Sequence, residues 1–274
     1  MPKGIAVCIG LNSVDPGHYQ GWNGPLTACE ADAEDMAGIA SDKGMAVTKL
    51  LTKNATRESV IKAIAQAAKS LSAGDIFMLT YSGHGGQVPD KDGDEDDGMD
   101  ETWCLYDGQM IDDELHTLYG AFAKGVRILV LSDSCHSGTV TRAAQAAAMA
   151  RTPTGEPPRY RVMPPSLAQR VYRANKEFYD DLAKKAGNAR DLDKVTATVL
   201  LISGCQDNQL SQDGTFNGLF TGHLLTIWNG GSFKKDYRGF HAGILATMPP
   251  DQSPNYFIIG AANKEFEAQI PFTV

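Results

Sequence analysis

Short apolar runs that end in glycine, serine or aspartate constrain this chain more than any other feature. They occur at 4–10 (GIAVCIG), 75–81 (DIFMLTY) and 126–132 (VRILVLS), with a weaker one at 45–51. Runs of this length, apolar on both faces, suit parallel strands covered on both sides. Helical patterns lie between them. Val60, Ile64, Ala67, Ala68 and Leu71 share one face of a predicted helix at 57–71. Leu115, Leu118, Tyr119 and Phe122 share another at 112–123, which Asp112 and Asp113 open where the dipole favours acids. This alternation predicts an α/β fold, a three-layer α/β/α sandwich around a mainly parallel central sheet.

The pattern changes after about residue 142. Residues 143–165 turn Ala-rich and then Pro- and Arg-rich, as suits an exposed connection, and a helix is predicted at 166–186. A strand at 196–203, a helix face over 216–228 and a last strand at 255–260 follow. The expected layout is a larger part at 1–142, a connection at 143–194 and a smaller part at 195–274, together one domain.

Lys and Arg number 25 against 33 Asp and Glu, a formal net charge of −8, which argues against a nucleic-acid or anionic-membrane binder. Most of that excess sits in 90–101, where eight acids accompany one lysine. The 5 cysteines include no C-x-x-C pair, so a disulfide framework or zinc ribbon is not expected and a reducing compartment is. With no apolar stretch long enough to span a membrane, the expected location is cytoplasmic.

In open parallel sheets, functional groups gather where strand carboxyl ends feed into loops. Two such ends carry reactive residues. The run at 75–81 leads into Ser82-Gly83-His84-Gly85-Gly86, and that at 126–132 into Asp133-Ser134-Cys135-His136-Ser137-Gly138. On neighbouring strands, His84 and Cys135 project from one edge of the sheet. His84 would then take the thiol proton and later protonate a leaving amine. Glycines beside His84 let a backbone N–H approach a substrate oxygen, so the amides of Gly85 and Cys135 form a candidate oxyanion hole. The polar flanks of Cys135 argue against burial, whereas Cys8, Cys104 and Cys205 read as packing residues. No third side chain for a triad is evident, which leaves a dyad.

Tyr81-Ser82-Gly83-His84-Gly85 together with Asp133-Ser134-Cys135-His136-Ser137-Gly138 resembles the catalytic signature of metacaspases, and more specifically of the bacterial enzymes called orthocaspases. The offset of 135 − 84 = 51 residues fits caspase-type enzymes, and the Q-A-C-x-G motif of true caspases is absent. The resemblance implies a caspase-like fold, with 1–142 and 195–274 as large- and small-subunit-like parts. It also implies a cysteine endopeptidase that hydrolyses proteins or peptides after Arg or Lys through an acyl-enzyme thioester. The matching pocket residues are Cys29, Asp32, Ser82 and Asp133; Asp207 is a further candidate acid. A basic side chain needs such acids because an unpaired buried charge is costly. Alternatives are a catalytically idle caspase-like regulatory module and a same-fold cysteine hydrolase of other specificity.

The chemistry requires no cofactor, but family members that bind activating calcium do so through four aspartates. The matching positions are Asp100, Asp112, Asp113 and Arg142, so three fit and the fourth is reversed in charge. An EF-hand beginning at Asp92 fails, because its sixth position is Asp97 rather than glycine. A guanidinium at 142 would instead replace the metal, and a shifted site over 92–97 is the other option. The connection carries Arg151, Arg159, Arg161, Arg170, Arg173, Lys176, Lys184, Lys185 and Arg190. In a protease of basic specificity these are candidate self-cleavage sites.

Overall fold

The computed structural model describes residues 2–91, 98–135, 159–186, 195–205, 209 and 211–274. Its central sheet has six strands: β1 (Gly4–Gly10), β2 (Ala46–Leu51), β3 (Ile76–Ser82), β7 (Arg127–Asp133), β8 (Thr198–Ser203) and β9 (Asn255–Gly260). Their spatial order is β2-β1-β3-β7-β8-β9, parallel throughout except for the antiparallel β8–β9 pair at one edge. All six expected runs are therefore strands, within a residue or two of the expected ends. Because β8 pairs with β7, one sheet unites the chain on both sides of the connection.

Alternation along each strand makes the three layers. Val7, Ile9, Ile128 and Val130 point to one face, where they meet Val60 and Ile64 of α2 (Arg57–Ser70) and Leu115 and Tyr119 of α3 (Asp112–Gly120). Ala6, Cys8, Leu129 and Leu131 point to the other. There they meet α1 (Cys29–Asp42) together with α6 (Leu219–Trp228) and α7 (Tyr237–Thr247). Burying such side chains contributes about 1.5–3 kcal/mol each, which is why β1, β3 and β7 tolerate almost no polar residue before their ends.

A second sheet was not expected. Strands β4 (Gly85–Pro89), β5 (Met99–Leu105) and β6 (Gly108–Ile111) form a three-stranded antiparallel sheet. Its apolar residues Val88, Cys104 and Ile111 pack on Leu167, Ala168 and Val171 of α4 (Pro165–Ala174). The single helix predicted at 166–186 is two, α4 and α5 (Lys176–Ala186). Asn175 ends the first: its side-chain amide donates to Val171 O at 2.9 Å, satisfying a terminal carbonyl, and to His18 O at 3.2 Å. The helix expected from 216 begins at Leu219, because Asn217 and Gly218 turn to bind a carboxylate and Phe216 is exposed. Among the described residues, no helix is long and apolar enough to cross a membrane.

Candidate active site

The parallel register pairs Tyr81 with Ser132 and Ser82 with Asp133, so Gly83–Gly85 and Ser134–Cys135 emerge side by side. Around them the loops are tightly tied. Tyr81 lies stacked on Trp103, with ring centroids 4.4 Å apart, and its hydroxyl donates to the His84 carbonyl at 2.7 Å. The Trp103 indole N–H donates to Ser132 Oγ at 3.1 Å.

His84 is buried beside Trp22, with ring centroids 4.7 Å apart. Its Nε2 lies 3.1 Å from the carbonyl oxygen of Gly24. A carbonyl only accepts, so Nε2 carries the proton and Nδ1 presents the lone pair. That Nδ1 is buried and makes no hydrogen bond. Burial lowers the imidazole pKa to about 4, so the ring is neutral and competent as a base near pH 7. The Gly24 carbonyl thus orients the imidazole, a part no side-chain scan of the sequence can find.

The expectation that Cys135 is exposed is wrong. Its relative exposure is 0%, beneath Tyr160 and Val162 and beside Cys205. Its Sγ accepts the Ser211 N–H at 2.6 Å and is not hydrogen-bonded to His84 Nδ1. The amides of Gly85 and Cys135 do converge, donating to one oxygen at 2.9 and 3.1 Å: the carbonyl of Arg161. Gly85 must be glycine, since a Cβ there would lie 1.7 Å from the Cys135 carbonyl oxygen.

Arg161 belongs to the connection expected to be exposed, yet its relative exposure is 0%. Its guanidinium lies among three carboxylates, 2.7 Å from Asp32, 2.9 Å from Asp133 and 3.1 Å from Asp213. Nη1 also donates to Ser82 Oγ at 2.9 Å. Three of the four expected pocket residues therefore line one site. The fourth, Cys29, is buried against it, its thiol pushed up to about 12 by burial and held neutral.

Donors orient the carboxylates in turn. Asp133 accepts from Ser211 Oγ at 2.6 Å, Thr221 N at 3.1 Å and Thr221 Oγ at 2.8 Å. Asp32 accepts from Ser82 Oγ at 2.7 Å, Asn217 Nδ2 at 3.0 Å and Gly218 N at 3.0 Å. One guanidinium facing three carboxylates leaves a charge of +1 − 3 = −2. Burial, with Asp133 adding repulsion, raises Asp32 to about 6 against the pull of Arg161. Gly218 lines the pocket's end, where a Cβ would stand 2.5 Å from the guanidinium carbon.

Sequence reasoning missed Asp213, Gly218 and Ser211. The only signal was an acid in the loop after β8, and the candidate raised on that ground, Asp207, lies outside the described residues. Asp92–Asp97 and Arg142 lie outside them too. Asp100, Glu101 and Asp113 all act on Asp112, whose carboxyl is raised well above its ordinary range by burial and then by their repulsion. Among the described residues, no group of three or more His, Cys, Asp or Glu side chains is arranged to hold a metal ion. Asp100, Asp112 and Asp113 are thus not arranged, among the described residues, as a metal-holding group.

The chain is similar to proteins of known family. The sequence profile described as the caspase domain matches residues 3–267. A protein named Metacaspase-1 from Kluyveromyces lactis is 29% identical over 286 residues, covering 92% of this chain and 63% of that one. Metacaspase-1 from Saccharomyces cerevisiae is 38% identical over 150 residues, 49% of this chain and 33% of that one. The chain thus aligns with a third to under two-thirds of these curated relatives. Among solved structures, a Geobacter sulfurreducens protein is 60% identical with a TM-score of 0.90, covering 100% of this chain and 99% of its own. Caspase-1 from Spodoptera frugiperda shares the fold, with a TM-score of 0.51 at 12% identity, over 94% of this chain and 86% of its own. Two reactive strand ends, a caspase-like three-layer sandwich and a profile spanning nearly the whole chain lead to one conclusion: the chain belongs to the caspase-domain family.

Proposed function

We propose that the protein is a cysteine endopeptidase that cleaves polypeptides after arginine and, less well, lysine. One observation carries this reading: Arg161 sits as a cleavable residue would. Its side chain is bound by Asp32, Asp133, Asp213 and Ser82, while its carbonyl oxygen accepts both amides of the expected oxyanion hole. Arginine suits the pocket better than lysine. Nη1 and Nη2 each reach a different carboxylate, which a single ammonium cannot do from one position.

The chemistry follows from the same groups. Sγ of Cys135 turns from the Ser211 amide and gives its proton to His84 Nδ1. The thiolate attacks the carbonyl carbon after Arg, and the oxyanion forms between the Gly85 and Cys135 amides. The C–N bond breaks as the leaving nitrogen takes the proton from His84. Water then hydrolyses the thioester, restoring the thiol. Gly24 keeps the required tautomer throughout.

Fluorogenic peptides ending in Arg, Lys or Asp, given to wild type and Cys135→Ala in calcium and in EDTA, test the reading. The expected result is Arg turnover above Lys, none for Asp, and none in the variant. Turnover of Asp peptides would point to a same-fold hydrolase of other specificity. The absence of any turnover, even after processing of the chain, would point to an idle regulatory module.

A further inference from the structure

We infer that Cys205 is the resolving partner of Cys135: a peroxide joins the two sulfurs in a disulfide that silences the nucleophile, and a thiol reductant reopens it. The inference rests on the proposed role of Cys135 and names the regulation of that same site.

The two cysteines stand just past the ends of neighbouring strands. β7 and β8 run parallel with Ser132 opposite Ser203, and the Gly204 N–H donates to Ser132 O at 2.7 Å. Beyond that point Cys135 and Cys205 pack together as a buried cluster of their own, with relative exposures of 0% and 1%. Sγ of Cys205 lies 3.4 Å from the carbonyl oxygen of Ser134, the residue before the nucleophile. Adjacent strands lie about 4.7–4.9 Å apart, and a disulfide spans Cα atoms about 4.4–6.8 Å apart. Bridging these two strand ends therefore asks for little backbone movement.

Their surroundings differ from those of a packing cysteine. Each face of the sheet has its own apolar core, and neither sulfur belongs to one. Polar groups lie around them instead: Ser203 Oγ donates to Cys205 O at 3.2 Å, and the Ser211 N–H donates to Cys135 Sγ at 2.6 Å. The sequence reads Cys205 as a packing residue, and it does pack, but against the one sulfur that the proposed chemistry turns into a thiolate. The other three cysteines are placed differently. Cys8 and Cys104 lie in separate apolar clusters that hold no second cysteine, and Cys29 opens α1 beside Arg161. Burial raises all three thiols, Cys8 to about 11 and Cys29 to about 12, which keeps them protonated and slow to attack.

Tyr160 and Val162 pack over both sulfurs, which favours hydrogen peroxide over any bulky oxidant. The steps balance. His84 Nδ1 takes the Cys135 proton, and the thiolate attacks a peroxide oxygen. An S–O bond forms, the O–O bond breaks, and the departing hydroxide takes the proton from His84 to leave as water. The Cys205 sulfur then attacks the sulfenic sulfur of Cys135. The S–S bond forms, the S–O bond breaks, and hydroxide leaves with the Cys205 proton as a second water. Two thiols are oxidised and one peroxide is reduced. Without a resolving thiol, the sulfenic acid goes on to sulfinic acid, which common reductants do not reverse.

The test treats full-length wild type and Cys205→Ser, which keeps a donor for Ser134 O, with hydrogen peroxide and then an alkylating reagent. Intact mass, peptide mapping without reductant and turnover of an N-blocked Arg fluorogenic peptide follow both. In wild type two of the 5 free thiols vanish together, the map joins 135 to 205 within one chain, and turnover falls at least about 10-fold. Dithiothreitol returns it to within about 2-fold of its start. Cys205→Ser, scored against its own starting rate, gains two oxygens at Cys135 and stays at least about 10-fold down after dithiothreitol. The wild-type map decides the matter even if Cys205→Ser does not fold. Survival of all five thiols, sulfinic acid at Cys135 with Cys205 still alkylated, pairing with another cysteine or another chain, or equal recovery of the two proteins would overturn the inference and leave the protease reading standing. A 135–205 bond in a protein that shows no Arg or Lys turnover before oxidation, whole or cut, would uphold the bond and defeat the protease reading.

Discussion

Two groups of carboxylates in this molecule share residue type and burial but differ in company. Asp32, Asp133 and Asp213 surround the buried Arg161, and each is oriented by hydroxyl, amide or backbone N–H donors. Asp112, by contrast, is influenced chiefly by burial and by the like charges of Glu101, Asp113 and Asp100. The contrast teaches that carboxylates from distant stretches face one cation where donors fix their oxygens around it. Neither the number of acids nor their closeness along the chain achieves this. The acids of the first group come from three distant stretches of sequence, whereas the second includes two adjacent pairs.

The largest expected effect breaks the first group. Asp133→Asn removes the carboxylate that holds Nη1 and accepts from Ser211 and Thr221. Losing a charged partner in a site of this kind costs about 3–5 kcal/mol, so kcat/KM for Arg peptides falls by roughly two to four orders of magnitude in steady-state assays. Gly218→Ala comes next. It leaves every carboxylate in place but puts a methyl 2.5 Å from the guanidinium. Arg turnover then falls by roughly 5- to 150-fold, because overpacking a tight site costs on the order of 1–3 kcal/mol. An unchanged Arg KM would show that the pocket is looser than this geometry.

Acidity separates the pocket from the base. Asp32, raised to about 6 mainly by burial, is neutralised as the pH falls through that value. His84, lowered to about 4 by burial, stays an unprotonated base to lower pH. KM for Arg peptides therefore rises below pH 6 before kcat falls, and a kcat limb near pH 6 with constant KM would reverse the assignment. The two groups also act oppositely on stability. Asp32 binds its proton more tightly folded than unfolded, so its contribution falls as the pH rises from about 4 to 6. His84 binds its proton more weakly folded, so its contribution grows as the pH rises from about 4 to 6.5.

The smallest effect sharpens the second group. Asp112→Asn removes a carboxyl whose pKa the fold raises, and so removes the cost of ionising it above the unfolded value near 4. Thermal unfolding near pH 7 should show a higher Tm, with Arg turnover unchanged within a few-fold. A calcium-dependent rise in wild-type Tm that Asp112→Asn abolishes would instead make this cluster a metal site.

The sequence by itself determined the layers and the reactive strand ends. Apolar runs of about seven residues suit buried strands between helices, and five of the six do lie parallel, while the last, Asn255–Gly260, closes the sheet as an antiparallel edge. His84 and Cys135 had to emerge together once β3 and β7 paired, and Ser82 and Asp133 with them. The three-stranded sheet at 85–111 escaped notice, since Gly85–Pro89 and Gly108–Ile111 are too short and glycine-rich to show alternation. The rest only the tertiary structure decided. Asp213 and Gly218 join the pocket through loop geometry, and Gly24 orients His84 through a backbone carbonyl that every residue possesses. Arg161 stood in the sequence as one of ten basic residues in a connection that looked solvated. Composition cannot tell which of them is buried, because burial of a charge depends on partners gathered from positions 32, 133 and 213. Only the folded chain brings those carboxylates to one point.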